Sequence, residues 1–243
     1  NSISIGKGAN SLGSNTVLGA NALDASVTGD NNTAIGHSVL TNLTSGTFNV
    51  GLGARALVNH TTGTQNTALG YATLEQQTTA SLNVAVGFAA LRNSTANNNT
   101  AIGHNAMLST SSGGGNTAVG AAALDANTTA SNNVAIGNAA LGANTTGTNN
   151  VAVGANALDA NTTGSSNVSF GRNSLSSNTT AINNTAIGTS ALELNTTGAS
   201  NTALGQKALL VNTTGNQNTA VGSNALDANT TGVSSTAVGY NVL

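Results

Sequence analysis

Three histidines, seven carboxylates and a dense set of hydroxyls are the side chains in this sequence best equipped for chemistry. His37, His60 and His104 are scattered, with no second ligand at a spacing that closes a metal site. His37 and His104 also fall at the most variable position of a repeat, which suits surface residues. No Ser-His-Asp arrangement and no carboxylate pair recurs at a local spacing suited to nucleophilic or glycosidic catalysis. Gly113-Gly114-Gly115 lacks the Lys-Ser/Thr that a phosphate loop needs. Six of the seven carboxylates, Asp24, Glu75, Asp125, Asp159, Glu193 and Asp227, share one phase of the repeat. From Asp125 to Asp227 they occupy every second copy, which doubles the distance between like charges on strands stacked about 4.8 Å apart. This spacing suits a solvated row, and the Gly-Gly-x-Gly-x-Asp calcium motif is absent. The chain reads as non-enzymatic, with no cofactor and no metal site.

Paired threonines such as Thr145-Thr146, Thr162-Thr163 and Thr196-Thr197 invite an ice-binding reading, because regular hydroxyl arrays order water. Adjacent residues of an extended chain point to opposite faces, so these pairs do not build a flat two-rank array. Many Asn-Thr-Thr triplets also match the N-glycosylation acceptor pattern, but turn geometry alone accounts for their placement.

The elements that must position these residues follow from a period. A Gly closes an Asn-x-Ala-(Ile/Val/Leu)-Gly unit at Gly19, Gly36, Gly53, Gly70, Gly87, Gly103, Gly120, Gly137, Gly154, Gly171, Gly188, Gly205, Gly222 and Gly239. Every step is 17 residues except Gly87 to Gly103, which is 16. A fixed short period means stacked coils rather than a globular core. Residues 1–243 read as one repeat array, with a shorter first coil over 1–18, forming a segment of a longer fibre.

Positions are counted from the closing Gly. Position −4 is Asn in 13 of the 14 copies, −3 is always Thr or Val, −2 is Ala in 11, and −1 is always apolar. Position +3 is Ala in 10 copies and +4 is Leu in 13. Positions +1 and +2 vary widely, so the copies have diverged and the fixed positions are held by packing. Seventeen residues accommodate two short strands and two turns, over 150–153 and 156–159 in one copy. The expected fold is all-β, a parallel β-solenoid of 17-residue coils.

Asn at the second bend is unbroken at Asn127, Asn144, Asn161, Asn178, Asn195, Asn212 and Asn229. Stacked Asn side chains bond to one another along an axis, so these residues are expected to form a structural ladder. The Asn at −4 is expected to form a second ladder at the other bend. Residues −1 and −3 share one face of the strand and the Ala at −2 takes the other. Both faces are restricted in residue type, which points to packing within the coil on one side and against a neighbouring chain on the other.

Charged residues make up 5 % of the chain, against roughly 25 % in ordinary soluble domains. The net charge of −2 argues against nucleic acid as a partner. No stretch approaches the roughly 18 apolar residues of a membrane-spanning helix, so membrane insertion is not expected. The chain has no Cys and no Pro, so every backbone N–H is free for a hydrogen-bond ladder.

Ser2-Ile3-Ser4-Ile5-Gly6 and the Asn-Thr-Ala-Ile-Gly units at Asn32 and Asn184 resemble the head repeats of YadA-like trimeric autotransporter adhesins. The 17-residue unit, with its Asn-Thr-Thr-Gly turn, also resembles repeat arrays of bacterial surface proteins and phage tail-fibre-like proteins. The resemblance implies a left-handed β-roll, a homotrimer, and an extracellular or cell-surface fibre with adhesive function; a virion tail fibre is the alternative setting. The partner expected first is the chain itself, as a trimer or an end-to-end filament. A host-surface protein or glycan is a second partner, recognised through the variable residues Tyr71, Phe88, His104 and Arg172. An ice-binding solenoid is the third reading.

Overall fold

The computed structural model describes residues 14–243 and the backbone of Ile5–Gly6. The chain divides into two compact units, Asn1–Asn116 and Thr117–Leu243. The first unit holds β1 (Ile5–Gly6), β2 (Thr16–Leu18), β3 (Thr33–Ile35), β4 (Val50–Leu52), β5 (Thr67–Leu69), β6 (Val84–Val86) and β7 (Thr100–Ile102). The second holds β8 (Thr117–Val119), β9 (Val134–Ile136), β10 (Val151–Val153), β11 (Val168–Phe170), β12 (Thr185–Ile187), β13 (Thr202–Leu204), β14 (Thr219–Val221) and β15 (Thr236–Val238). Within each unit, consecutive strands from β2 to β7 and from β8 to β15 pair in parallel and in register. Each coil therefore repeats the one before it at the sequence period, and no helix occurs among the described residues. The fold is an all-β parallel solenoid of 17-residue coils. One pairing differs: β1 runs antiparallel to β2, with Ile5 opposite Leu18. The short first coil expected over 1–18 lies mostly outside the described residues.

Strands β2 to β15 are three residues long, and only their middle residue is buried, as in β3 and β10. The Ala at −2 faces the coil interior, as at Ala34, Ala85, Ala152 and Ala203. The interior behind the strand is narrow, and exchanges of size or polarity there are matched across it. Gly51 replaces that Ala where Val39 intrudes; a Cβ on Gly51 would lie 2.4 Å from Val39 Cγ1. Ser169 replaces it where Ser174 stands opposite, and the two hydroxyls lie 2.5 Å apart.

The closing Gly is needed twice over. Its φ lies between 118° and 144°, a region that L side chains rarely adopt. A Cβ on Gly154 would also lie 2.6 Å from the carbonyl carbon and oxygen of Gly171 in the next coil.

The second side of the coil corrects the expectation of a strand over 156–159. Asn156 and Leu158 have φ of 55° and 56°, and the same left-handed pair recurs at +2 and +4 through both units. Two turns replace the strand: Ala157 N–H donates to Gly154 O at 3.2 Å, and Asn161 N–H to Leu158 O at 3.2 Å. Ladder bonds to adjacent coils persist, from Leu158 N–H to Ser174 O and from Asn156 N–H to Asn138 O, both at 3.0 Å. The reason is that Ala157 and Leu158 are consecutive and both fully buried. An extended chain sends neighbours to opposite faces. A left-handed residue costs roughly 1–2 kcal/mol, while burying a Leu side chain contributes about 1.5–3 kcal/mol. Burial wins, and the bonds to both neighbouring coils hold the strained residue.

Candidate functional site

The first unit carries most of the departures from the repeat, and its unusual side chains meet at shared registers. Tyr71, Phe88 and His104 occupy +1 of three successive coils and are all exposed. Their rings stack, with centroids 5.3 Å apart at 17° for Tyr71 and Phe88, and 5.2 Å apart at 12° for Phe88 and His104. The parallel register sets this spacing. Because the ring faces cover one another, the stack presents mainly its edges to solvent. Arg172 belongs to the second unit, where it is exposed at +1. His37 is exposed, with Ser38 Oγ 3.2 Å from its Nδ1.

Glu75 corrects the reading of its row as a solvated face. It is fully buried, and two half-exposed arginines close over it. Arg55 donates Nε to Oε1 at 2.7 Å and pairs with the same oxygen through Nη2. Arg92 donates Nε to Oε2 at 2.5 Å. Arg55 comes from the preceding coil and Arg92 from the following one, so one carboxylate links three coils. Nothing in the carboxylate spacing revealed this; the signal was one arginine in each neighbouring copy, at +2 before the acid and at +5 after it. In the second unit Asp159 is partly buried, and burial raises its pKa above the usual carboxylate value, against opposing bonds from its own backbone and that of Ala160.

Position +7 is the inner turn residue. In the second unit it is an asparagine row. Asn161 Nδ2 donates to Asn144 Oδ1 at 2.8 Å, Asn178 to Asn161 at 2.9 Å, Asn195 to Asn178 at 3.1 Å, Asn212 to Asn195 at 2.9 Å and Asn229 to Asn212 at 3.1 Å. Asn127 Nδ2 reaches Ala130 O at 3.2 Å. Each amide also donates to a carbonyl three residues on, such as Asn161 to Gly164 at 2.9 Å. The Asn at −4 sends its amide to that same carbonyl, as Asn150 does to Gly164 at 2.8 Å. Its Oδ1 accepts the backbone N–H of the next Asn in the row, Asn167, at 3.0 Å. The two asparagine rows thus flank one bend, instead of marking separate bends.

In the first unit the +7 row begins at exposed Ser26 and continues as Leu43, His60, Gln77, Ser94 and Thr110, these five all buried. His60 Nδ1 and both terminal atoms of Gln77 are buried with no well-aligned partner. His60 Nε2 lies 3.3 Å from Asn66 Nδ2. Burial lowers the pKa of His60 below its usual 6.5, against the opposing influence of the Gly63 and Gln77 backbone.

The first Thr of each pair is engaged as well: Thr162 Oγ1 donates to Thr179 O at 3.1 Å, and Thr145 Oγ1 to Thr162 O at 3.0 Å. The second Thr is exposed, as at Thr163 and Thr197. Among the described residues no group of three or more His, Cys, Asp or Glu is placed to hold a metal ion. No family model, no curated protein and no solved structure matches this chain.

Proposed function

We propose that the chain is a non-enzymatic structural segment of an extracellular fibre or adhesin, whose left-handed coils associate as a homotrimer through the outer faces of their sheets. The observation that carries this reading is the outward side of the strands. In the second unit position −1 runs Val119, Ile136, Val153, Phe170, Ile187, Leu204, Val221 and Val238 through successive coils. Ile136 is 40 % exposed, Phe170 54 % and Leu204 45 %. The −3 row beside it is only Thr and Val. Neither row admits a charge in any copy. A face kept for water alone tolerates Lys and Glu, whereas a long apolar stripe is the mark of an interaction surface.

A partner covering such a stripe must repeat at the same interval. A second copy of this chain does so, and cyclic self-association is the commonest arrangement for like chains. The trimeric state and the cell-surface setting rest on the resemblance to trimeric adhesin heads. In this reading, stiffness comes from small residues inside the coils and asparagine rows along the bend, with no disulfide required.

The test is sedimentation of the chain beside a Val153→Lys/Ile187→Lys double variant. The reading expects an oligomer that the double variant converts to monomer with its circular dichroism unchanged. An unaltered sedimentation coefficient would count against the sheet face as the interface.

A further inference from the structure

The charge count around Glu75 does not close. Two guanidinium groups share one buried carboxylate, leaving a local excess of one positive charge in a chain of net charge −2. A guanidinium has five N–H donors. Arg92 directs Nε at Glu75, leaving its two terminal nitrogens for a ligand. Arg55 uses Nε and Nη2 on Glu75, leaving Nη1. A buried carboxylate therefore fixes two half-exposed guanidinium groups, one on each of its oxygens, where a second anion from solvent restores charge balance and accepts the N–H donors left over.

A second, independent feature favours the same ligand charge. Tyr71 stands four residues before Glu75, and Phe88 four residues before Arg92. Their rings stack, which covers the sides that face each other and leaves ring edges, the positive rim of the aromatic quadrupole, toward solvent. Amides complete the surroundings. Asn59 Nδ2 donates to Glu75 O at 3.0 Å and lies 3.4 Å from Gln76 Oε1 on the surface. Carboxylate or sulfate for the arginines, together with a hydroxyl for the exposed Gln76 amide, is the chemistry of an acidic saccharide.

We propose that Arg55 and Arg92, held by buried Glu75, bind the anionic group of an acidic saccharide whose chain extends to the Tyr71–Phe88 ring edges on the same coils. The site goes beyond the scaffold role and does not depend on self-association. The experiment titrates the full chain with a glucuronate-containing tetrasaccharide, a sulfated oligosaccharide, a neutral oligosaccharide of equal length and a glutamate-rich peptide. Arg92→Gln, Arg92→Lys, Phe88→Ala and Lys207→Gln are run in parallel, with circular dichroism and oligomer mass as fold controls.

At least one acidic saccharide is expected to bind, more weakly at higher salt, and the neutral one not to bind. Arg92→Gln should weaken binding by about tenfold or more. Arg92→Lys should lose less, because it keeps the charge but not the fork. Phe88→Ala leaves the ion pairs intact and should still weaken binding, so the proposal remains testable if Arg92→Gln fails to fold. Lys207→Gln, at an exposed cation of the second unit, should bind as the parent does. The proposal is overturned if neither acidic saccharide binds, if the neutral one binds equally, if only the peptide binds, or if Arg92→Gln and Lys207→Gln bind alike.

Discussion

Asn161 gives its side-chain amide to the side-chain carbonyl of Asn144, one coil away, at 2.8 Å, with both residues fully buried. The bond sits in the middle of a row, so removing one member breaks two rungs. Asn161→Ala takes the donor from Asn144 and the acceptor from Asn178. Each buried polar group left unsatisfied costs about 1–3 kcal/mol, so the variant should lose roughly 2–4 kcal/mol of stability. Thr163→Ala, exposed two residues on, should change it by less than about 0.5 kcal/mol. Chemical denaturation of the two variants side by side checks the contrast.

The first unit lacks this row, and His60 stands where the second unit has Asn. Its buried ring resists protonation, whereas the unfolded chain takes up a proton near pH 6.5. Stability from this residue is thus fully present above pH 6.5 and falls as the pH drops toward the lower folded-state value. His60→Asn should remove that acid-dependent loss and raise stability at neutral pH by about 1 kcal/mol, since Asn can bond a carbonyl three residues on. Melting temperatures from pH 7.5 to pH 5 would test both effects; equal slopes for parent and variant would exclude the role given to His60.

Asp159 carries the opposite sign. Its carboxyl is raised by burial, so the folded chain holds the proton more tightly than the unfolded chain. The contribution is favourable below the usual carboxylate range and is lost as pH rises through the folded value. Asp159→Asn should therefore be neutral or slightly stabilising at pH 7, by less than about 1 kcal/mol after allowance for solvent screening, and should flatten the stability profile across the acid range in which the carboxyl titrates. A clear loss of stability at pH 7 would mean that the carboxylate makes a favourable interaction.

Two glycines separate backbone demand from mere smallness. Gly154→Ala puts a Cβ 2.6 Å from the next coil's backbone at a φ of 135°, and should cost more than about 3 kcal/mol or prevent folding. At Gly142 φ is ordinary and the nearest atom to an added Cβ is Ala139 O at 3.2 Å. Gly142→Ala should stay within about 1 kcal/mol of the parent. Comparable losses at both sites would contradict the coil-to-coil contact at the closing Gly.

Much of the coil is readable from periodicity, because a solenoid repeats its constraints. The closing Gly, the inward Ala and the β-branched −3 position each recur for a local reason visible in residue type. The second side of the coil was harder. Reading 156–159 as a strand treated Ala157 and Leu158 as alternating, when two consecutive positions kept small (mostly Ala) and apolar (Leu or Met) across the copies already implied that both point inward. The single bend shared by Asn150 and Asn161 follows from how the turn folds back onto Gly164, which spacing alone does not express. The shared register of Tyr71, Phe88 and His104 was legible once the period was known, but the near-parallel stacking of their rings was not. Glu75 was misread because its row was judged by repulsion between acids, without weighing Arg55 and Arg92 in the coils on either side.

Light scattering of the intact chain after size exclusion tests the central claim most directly. Association through the sheet faces predicts a mass three times the 23.4 kDa of one chain, constant across dilution. A mass of 23.4 kDa at every concentration would contradict it.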